Sequence, residues 1–307
     1  MAEAYNLLTI LGPTAGGKTS VATRMAYMLD GEVISADSRQ VYRSMDLGTG
    51  KDLEDYVVEG KKIPYHLIDI VDAGYKYNVY EYQQDFIKVF NDIHNRNKFP
   101  VLCGGSGMYI EAVLKGYKLI HVPVNEELRA ELEQKPTEEL ITILSSFKKL
   151  HNKTDIDTRK RMIRAIEIEK YYAENPQLDI DFPKISPLIV GVKFDRKSQR
   201  KRITQRLKQR LNEGMIDEVK QLINQGISVE NLVYYGLEYK FITQHITGEL
   251  SYDEMFKKLE TAIHQFAKRQ MTWYRRMERN GLKIHWLDGY APMHEKTNRI
   301  LELLNMM

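Results

Sequence analysis

The sequence has 307 residues, 43% of them hydrophobic and 28% charged, which is typical of one large or two smaller globular domains. No apolar run approaches the roughly 20 residues that a membrane-spanning helix needs, no secretory signal is recognisable, and the single cysteine, Cys103, excludes an internal disulfide and a cysteine zinc site, so we expect a cytoplasmic protein without membrane association. The net charge of +3 does not by itself identify a nucleic-acid-binding protein, although basic residues concentrate in 196–210 and 268–279, either as solvated helix faces or as surfaces for a polyanion.

Short apolar runs alternate with helical patterns in the first part of the chain. The predicted strands and helices are, in order, strand 7–11, helix 19–29, strands 32–35 and 66–70, helix 80–95 and strand 100–103. Gly31 is predicted to end the first helix as its C-cap. Because strands alternate with helices, the pattern predicts a mainly parallel sheet with helices on both faces.

Strand patterns disappear after residue 123 and return only beyond a proline-containing loop that ends near residue 187. The predicted elements of this second part are helices 126–134, 137–150 and 158–174, strand 188–194, helices 196–212 and 252–279, and strand 284–287. We therefore predict an α/β core of residues 1–122 and 188–307 that is interrupted by an all-helical insertion of residues 123–187. No heptad repeat is visible, so a monomer is expected.

The most specific motif follows the first predicted strand and matches G-x-x-x-x-G-K-[ST], a phosphate-binding loop, in the strand-to-helix context that it requires. Its glycines let backbone N–H groups face an anion, and the helix dipole adds positive potential there. The residues predicted to bind a diphosphate are Gly12, Pro13, Thr14, Ala15, Gly16, Gly17, Lys18 and Thr19. The Thr19 hydroxyl is also placed to ligate Mg²⁺. The motif favours a P-loop NTPase-like core, indicates phosphate or diphosphate without specifying ATP, and leaves a ligand-free glycine turn as the alternative.

A carboxylate, Asp37, lies just past the carboxyl end of the second predicted strand. In doubly wound sheets ligands bind at that edge, so Asp37 should face the phosphate loop. From its position alone three roles stay open: a Mg²⁺ ligand, a general base, or a helix N-cap together with Ser38. The segment Gly104–Tyr109 ends another strand at the same edge and is predicted to form a loop beside the site.

The ordered set of motifs resembles the tRNA dimethylallyltransferase family over nearly the whole chain. The matching segments are G-P-T-A-G-G-K-T at 12–19, I-S-A-D-S-R-Q-V-Y at 34–42, M-D-L-G-T at 45–49, H-L-I-D at 66–69, G-G-S-G-M-Y at 104–109, R-A-I-E-I at 164–168 and A-K-R-Q-M-T-W at 267–273. The sequence departs from the family pattern at 151–157, where the family has H-P-N-D, and at 238–241, where E-Y-K-F replaces part of G-Y-K-E. Ser106 replaces a threonine of the family and keeps its hydroxyl.

The resemblance implies transfer of a dimethylallyl group from dimethylallyl diphosphate to N6 of adenosine 37 in tRNA, next to the anticodon. It implies that Asp37 accepts the N6 proton and that Thr19, with Mg²⁺, supports departure of diphosphate. Arg202 and Arg206 lie one helical turn apart and are predicted to close over the diphosphate, with a surface stripe as the alternative.

Recognition of the tRNA anticodon stem-loop is implied for both parts of the chain. The target adenosine must leave the loop stack, and Gln40 is a candidate to hydrogen-bond its edge. The residues expected to contact tRNA are Asp37, Ser38, Arg39, Gln40, Ser106, Arg129, Lys160, Arg161, Met162, Ile163 and Arg164, with Arg269, Arg275 and Arg276 as a possible continuation. Trp273 and Trp286 are expected in the core rather than as stacking surfaces.

Three other functions share part of this pattern. A small-molecule P-loop kinase would have the same loop, sheet and Mg²⁺ but would consume ATP. A prenyltransferase acting on free adenine nucleotides would not need the helical insertion. An RNA-binding protein without catalytic activity would not need Asp37.

Overall fold

The computed structural model describes residues 5–148, 156–176 and 181–305, and the chain divides into two compact units. The first unit comprises Met1–Tyr117 and Pro183–Met307, and the second comprises Lys118–Phe182. The segment 151–155, where the sequence departs from the family motif, lies outside the described residues.

The first unit contains a six-stranded parallel sheet in the order β5-β2-β6-β1-β7-β8. The strands, including a small separate hairpin of β3 and β4, are β1 Leu7–Leu11, β2 Gly31–Ala36, β3 Val57–Val58, β4 Lys61–Lys62, β5 Tyr65–His66, β6 Phe99–Gly104, β7 Pro187–Lys193 and β8 His285–Asp288. All residues of β1 and β2 are buried, as expected for strands covered on both faces. The predicted α/β class with a parallel sheet is confirmed.

Helices of the first unit cover both faces of this sheet, and further helices form the second unit. In chain order they are α1 Lys18–Met28, α2 Val79–Asn95, α3 Gly107–Leu114, α4 Glu126–Glu133, α5 Thr137–Phe147, α6 Arg159–Glu174, α7 Arg196–Asn212, α8 Met215–Asn224, α9 Val229–Tyr235, α10 Leu237–Ile246, α11 Tyr252–Arg279 and α12 Met293–Asn305. None of the helices in the described ranges is long and apolar enough to cross a membrane.

The alternation of side chains along β1 divides the core into two layers. Leu7 and Leu11 pack into one cluster with side chains of α2, α3 and α7–α11. Leu8 and Ile10 point the opposite way and pack with α1 and α12. Because parallel strands end at the same edge, this packing brings the loops after β1, β2 and β6 together.

Two predictions about the second and third strands were wrong in detail. Gly31 begins β2 rather than capping α1, and Asp30 takes the left-handed conformation after the helix instead. Glycine is needed at residue 31 because a Cβ there would lie 2.2 Å from the Phe99 carbonyl oxygen. The third strand ends at His66 rather than at residue 70. The chain turns at Leu67 and Asp69, both with positive φ, and the Asp69 N–H then bonds to the carbonyl of Gln40 (3.0 Å).

The second unit consists of α4, α5 and α6 around its own apolar cluster, which includes Leu140, Leu144 and Ile166. It begins at Lys118, earlier than the predicted boundary at 123, because residues 118–122 are hydrogen-bonded to α6. The Tyr172 hydroxyl donates to the Lys118 carbonyl (2.6 Å), and Arg164 Nη2 donates to the Val122 carbonyl (2.8 Å).

Candidate functional site

The phosphate loop joins β1 to α1 in a conformation that its glycines permit. A Cβ on Gly12 would lie 2.4 Å from the Val192 carbonyl oxygen on β7, so only glycine allows this approach of the two backbones. Ala15 has a φ of 57° and Gly17, the N-cap of α1, a φ of 71°. The loop therefore ends with the unpaired N–H groups of a helix N-terminus, where an anion is stabilised.

Lys18 lies at the base of this loop and is directed towards it. Its Nζ donates to the Pro13 carbonyl at 2.9 Å. The pKa of Lys18 is lowered to about 8, chiefly by burial and also by the nearby positive charge of Arg206, while Asp37 acts in the opposite direction. A diphosphate bound in the loop would place negative charge beside this ammonium group and stabilise its protonated form.

Asp37 is half-buried just after the end of β2, and its two carboxylate oxygens differ in their hydrogen bonding. Its Oδ1 accepts a hydrogen bond from the Arg39 N–H (2.9 Å), which closes a local turn of the capping type. Its Oδ2 accepts no hydrogen bond from the part of the chain that the structure describes. The carboxylate is also close enough to Lys18 and Arg206 to affect their pKa values. One oxygen thus fixes the loop while the other stays available for chemistry.

The neighbours of Asp37 tie its loop to the rest of the sheet edge. The Ser106 hydroxyl accepts from the Ser38 N–H (2.9 Å) and donates to the Ser38 hydroxyl (3.2 Å). The amide of Gln40 donates to the Gly50 carbonyl (3.0 Å) and accepts from the Ser35 hydroxyl (3.0 Å). Because both ends of the Gln40 amide are bonded within the protein, this side chain holds the loop in place, and hydrogen bonding to adenine would use its second N–H or the second lone pair of its oxygen.

The arginines of α7 face the phosphate loop, as predicted for two of them. Arg202 Nε donates to the Ala15 carbonyl (3.0 Å). Arg206 is half-buried one turn later, and burial lowers its pKa to about 10. Arg210, a further turn along, donates to Asp52 (2.9 Å). The three guanidinium groups line one cavity of about 390 Å³ with Ala15 and Gly17, and the carboxylates of Asp52, Asp55 and Glu213 line it as well, so closure of Arg202 and Arg206 over a diphosphate stays a prediction.

Sequence reasoning made no assignment for Glu238, which the structure places beside these arginines. Glu238 lines a small cavity with Thr14, Ala15, Arg206 and Arg210. Burial raises the pKa of its carboxyl, and the two arginines lower it. The carboxylate balances part of the positive charge that would otherwise be unopposed when no diphosphate is bound.

Two residues of α11 that hold the phosphate loop were also missed. Gln270 Oε1 accepts from the Thr14 N–H (2.9 Å), and its Nε2 donates to the Gly105 carbonyl (2.9 Å). The hydroxyl of Tyr274, one turn later, donates to the Gly12 carbonyl (3.0 Å). The family motif A-K-R-Q contains Gln270, but only the folded structure identifies it as the residue that joins the two loops.

We expect replacement of Gln270 by leucine to weaken diphosphate binding and to destabilise the protein by about 1–3 kcal/mol. The substitution leaves the Thr14 N–H without its partner and removes one of the two donors to the Gly105 carbonyl, which keeps only the longer bond from the Tyr274 hydroxyl (3.3 Å). Urea unfolding and calorimetric titration with inorganic diphosphate measure the two effects. Gln265→Leu, an exposed position on the same helix, is the control, and equal behaviour of the two variants would contradict the role of Gln270.

In the helical unit, the structure places two predicted tRNA contacts in the apolar core and pairs two others with a buried carboxylate. Met162 and Ile163 are 2% and 3% exposed and belong to the apolar core of the unit, so their side chains are not on an RNA-binding surface. Arg129 and Arg164 both donate to Glu167, which is buried; Arg129 does so through Nε (3.1 Å) and Nη2 (3.0 Å). These two arginines neutralise a buried carboxylate and fix α4 against α6.

Two of the predicted contacts in the helical unit remain on its surface. Lys160 and Arg161 are exposed at the start of α6, where Arg161 pairs with Asp157 (3.1 Å). Their side chains are accessible to RNA phosphates, unlike those of the two residues that follow them. Within the segment 160–164, Lys160, Arg161 and the part-exposed Arg164 therefore stay predicted tRNA contacts, whereas the side chains of Met162 and Ile163 do not.

On α11 the predicted basic surface divides in the same way. Arg276 donates to the buried Glu111 (2.9 Å) and stacks on Trp273 at 4.2 Å, so it supports the core. Arg269 and Arg275 are exposed. Trp273 and Trp286 pack against the apolar core, which confirms that interpretation.

The two basic segments of the sequence meet along a cavity of about 740 Å³. Its lining includes Arg196 and Arg200 of α7 and Lys268 and Arg275 of α11. The cavity reaches Pro13 of the phosphate loop but does not include Asp37. We therefore assign the reacting groups to the phosphate loop and Asp37 rather than to this cavity.

The residues present fit Mg²⁺ as an ion shared with substrate. The Thr19 hydroxyl and the Asp37 carboxylate are oxygen ligands of the kind that Mg²⁺ prefers. No group of three or more histidine, cysteine, aspartate or glutamate side chains suited to a metal lies within residues 5–148, 156–176 and 181–305. An ion here would depend on water and diphosphate oxygens for most of its ligands, as Mg²⁺ commonly does.

The chain is similar to known proteins over nearly its whole length. Residues 40–277 match the family model described as IPP transferase. The chain is 60% identical to tRNA dimethylallyltransferase 2 of Phocaeicola vulgatus over 99% of both chains, and 57% identical to tRNA dimethylallyltransferase 2 of Porphyromonas gingivalis over 97% of this chain and 98% of the relative. The crystal structure of the tRNA isopentenylpyrophosphate transferase of Bacillus halodurans superposes with a TM-score of 0.71 at 32% identity, covering 97% of this chain and 96% of that one. With a family match across most of its length and this identity over nearly all of it, the chain belongs to the IPP transferase family.

Proposed function

We propose that the protein transfers the dimethylallyl group of dimethylallyl diphosphate to N6 of adenosine 37 in tRNA, beside the anticodon, and releases diphosphate. Its relatives carry the name tRNA dimethylallyltransferase. The observation that best supports this function is the position of Asp37 at the same sheet edge as the phosphate loop, close enough to Lys18 for the two charges to interact. A small-molecule kinase could use a carboxylate here as well, for Mg²⁺ or for its phosphoryl acceptor, so it is the names of the relatives that favour prenyl transfer over phosphoryl transfer.

The leaving group is held by this chain's own residues. Negative charge grows on the bridging oxygen as the bond between that oxygen and C1 of the dimethylallyl group breaks. The N–H groups at the start of α1, the Lys18 ammonium group and the guanidinium groups of Arg202 and Arg206 are placed to stabilise that charge. Mg²⁺, when bound with the diphosphate, would neutralise further charge on its oxygens.

The nucleophile is a weak one, because the lone pair of the adenine amino group is delocalised into the ring. As the bond between N6 and C1 forms, N6 becomes cationic and must lose a proton. Asp37 Oδ2 is the acceptor we assign, since Oδ1 is held by the Arg39 N–H. The proton moves to the carboxylate and the electron pair of the broken bond leaves with the diphosphate, so the step is balanced.

The adenosine must be turned out of the anticodon loop to reach Asp37. Ser38, Arg39 and Ser106 are the side chains around that point in the first unit, and Lys160 and Arg161 are the exposed cations that we assign to tRNA phosphates in the second. A cytoplasmic location is part of the same proposal, because the substrate tRNA is found there. We also propose a monomer, because no heptad repeat is visible in the sequence.

Nucleoside mass analysis tests the proposed function. Unmodified tRNA is incubated with the protein, dimethylallyl diphosphate and Mg²⁺, and we expect one adenosine per tRNA to gain a dimethylallyl group. Parallel reactions with AMP and with ATP separate the alternatives. If AMP were prenylated as fast as tRNA, the protein would be a nucleotide prenyltransferase. Consumption of ATP with a small-molecule acceptor would indicate a kinase.

A further inference from the structure

A cluster of aromatic and basic residues lies on the surface next to the Asp37 loop. We call it the tyrosine ledge and define it as the exposed or part-exposed Arg39, Tyr75, Lys76 and Tyr234 together with the buried Tyr235 that supports them. Tyr234 is 56% exposed and Tyr75 50% exposed. The Lys76 Nζ lies 5.6 Å from the centre of the Tyr234 ring, and the Arg39 guanidinium lies 5.4 Å from that of Tyr235. Single exposed tyrosines are common, but their alternation with cations is typical of surfaces that bind RNA.

The ledge is held in place by Tyr235, which is buried. The Tyr235 hydroxyl accepts from the Gly74 N–H (2.5 Å) and donates to the Tyr75 carbonyl (3.3 Å), and its ring packs against Tyr42 at 4.7 Å. These contacts join the end of α9 to the segment 74–76. An exposed ring on a fixed backbone loses little conformational entropy on binding, so the ledge is prepared for a planar ligand.

Tyr234 and Tyr235 are the last two residues of α9, so their side chains point in different directions, and one is exposed while the other is buried. Gly236 has a φ of 73° and Leu237, a residue for which positive φ is unfavourable, has a φ of 42°. The chain therefore breaks between α9 and α10 directly after Tyr235, and Tyr234 remains on the outer face of the last turn. Strained residues of this kind persist where the surrounding structure holds them, often at binding sites.

The position of the ledge suggests what it binds. The Arg39 N–H bonds to Asp37 Oδ1 (2.9 Å), and the side chain of the same residue reaches Tyr235. The ledge therefore begins two residues from the carboxylate that we assign to the target adenosine. A nucleotide next to that adenosine in the RNA strand would arrive here, with its phosphate near Arg39 and Lys76.

We propose that the tyrosine ledge stacks a nucleobase that adjoins the target adenosine in the anticodon loop, chiefly on the ring of Tyr234. Proteins commonly recognise RNA loops by stacking unpaired bases on aromatic rings, with arginine and lysine nearby. Stacking of this kind would hold the loop open after the adenosine leaves it. The inference rests on the proposed function, because that function places the adenosine at Asp37.

Substitutions at Tyr234 test the stacking. With an anticodon stem-loop as substrate, Tyr234→Ala should raise KM for the RNA about 5- to 100-fold, while kcat and KM for dimethylallyl diphosphate stay unchanged. Tyr234→Phe keeps the ring and should behave as the wild type. Tyr252→Ala, at a tyrosine that is 47% exposed at the start of α11, is the matched control and should have no effect.

Substrates with a missing base make the test specific to stacking. Wild-type protein should lose the same factor in KM on a stem-loop that lacks the base on one side of the target, and Tyr234→Ala should then add no further loss. An equal effect of Tyr234→Ala on intact and abasic RNA, or no effect on either, overturns the proposal. Fluorescence of 2-aminopurine at the same position gives a binding readout without prenyl transfer, so failure of the ledge is distinguishable from failure of the enzymatic function.

Discussion

Replacement of Asp37 by asparagine should lower kcat for tRNA prenylation by a factor of about 10²–10⁴, the usual contribution of a positioned general base. Asparagine keeps an Oδ1 that accepts from the Arg39 N–H, so the local turn should survive. It has no carboxylate to take the N6 proton. Affinity for the stem-loop and for inorganic diphosphate should therefore change little, and the loss should fall on kcat in single-turnover measurements.

Two further variants make this result interpretable. Asp37→Ala removes the turn as well as the base, and we expect it to add a loss of RNA affinity. Asp217→Asn changes an exposed carboxylate of α8 that pairs with Lys220, and it should leave kcat unaltered. Prenylation by Asp37→Asn at the wild-type rate would mean that another group, or solvent, takes the proton.

The second large effect is expected at Lys18. Replacement by methionine removes the charge opposite the departing diphosphate and should lower kcat/KM by a factor of about 10²–10³, comparable with loss of a principal oxyanion-stabilising group. Lys208→Met removes an exposed lysine of α7 and serves as the control. Equal activity of the two variants would place the diphosphate elsewhere.

The lowered pKa of Lys18 also predicts how binding depends on pH. In the ligand-free protein this pKa is about 8, and a bound anion should raise it, so binding takes up a proton. Affinity for inorganic diphosphate should therefore fall as pH rises above about 8, and Lys18→Met should lose that part of the dependence. Calorimetric titration of both proteins between pH 7 and 10 measures the difference.

The same pKa affects stability in the opposite direction. The unfolded chain keeps the Lys18 proton up to the ordinary value of 10.5, whereas the folded, ligand-free protein releases it near 8. Between these values the unfolded state binds more protons, so this residue makes the free energy of unfolding rise with pH. The contribution should be absent from Lys18→Met, which urea unfolding across the window can verify.

The parts of the site that lie close together in sequence could be predicted, because local pattern determines them. The phosphate loop needs only a strand, its glycines and a helix, and Asp37 needs only the end of the next strand. The roles of Gln270 and Gln199 could not be predicted in this way. Both bond to Thr14, to its N–H and its carbonyl respectively, across more than half the length of the chain, and nothing in their local sequence marks the partner.

The errors in the helical unit have a different origin. Motif resemblance assigned Met162 and Ile163 together with Lys160, Arg161 and Arg164, although consecutive positions of a helix face different directions. Helical periodicity indicates that Met162 and Ile163 are buried, since these two apolar residues and Ile166 fall on one face of α6. Arg129 and Arg164 stay predicted tRNA contacts because their side chains are part-exposed, but their bonds to the buried Glu167 arise only from packing and could not be predicted from sequence.

The most direct measurement of the mechanism is a crystal structure of the protein with an anticodon stem-loop and an unreactive sulfur analogue of dimethylallyl diphosphate. We expect the diphosphate to lie in the loop after β1 with Lys18 turned from the Pro13 carbonyl to its oxygens. Asp37 Oδ2 should lie about 2.6–3.2 Å from N6, and C1 of the analogue about 3–3.5 Å from it. An adenosine whose N6 faces any other proton acceptor, or a diphosphate bound outside the loop, would contradict the mechanism.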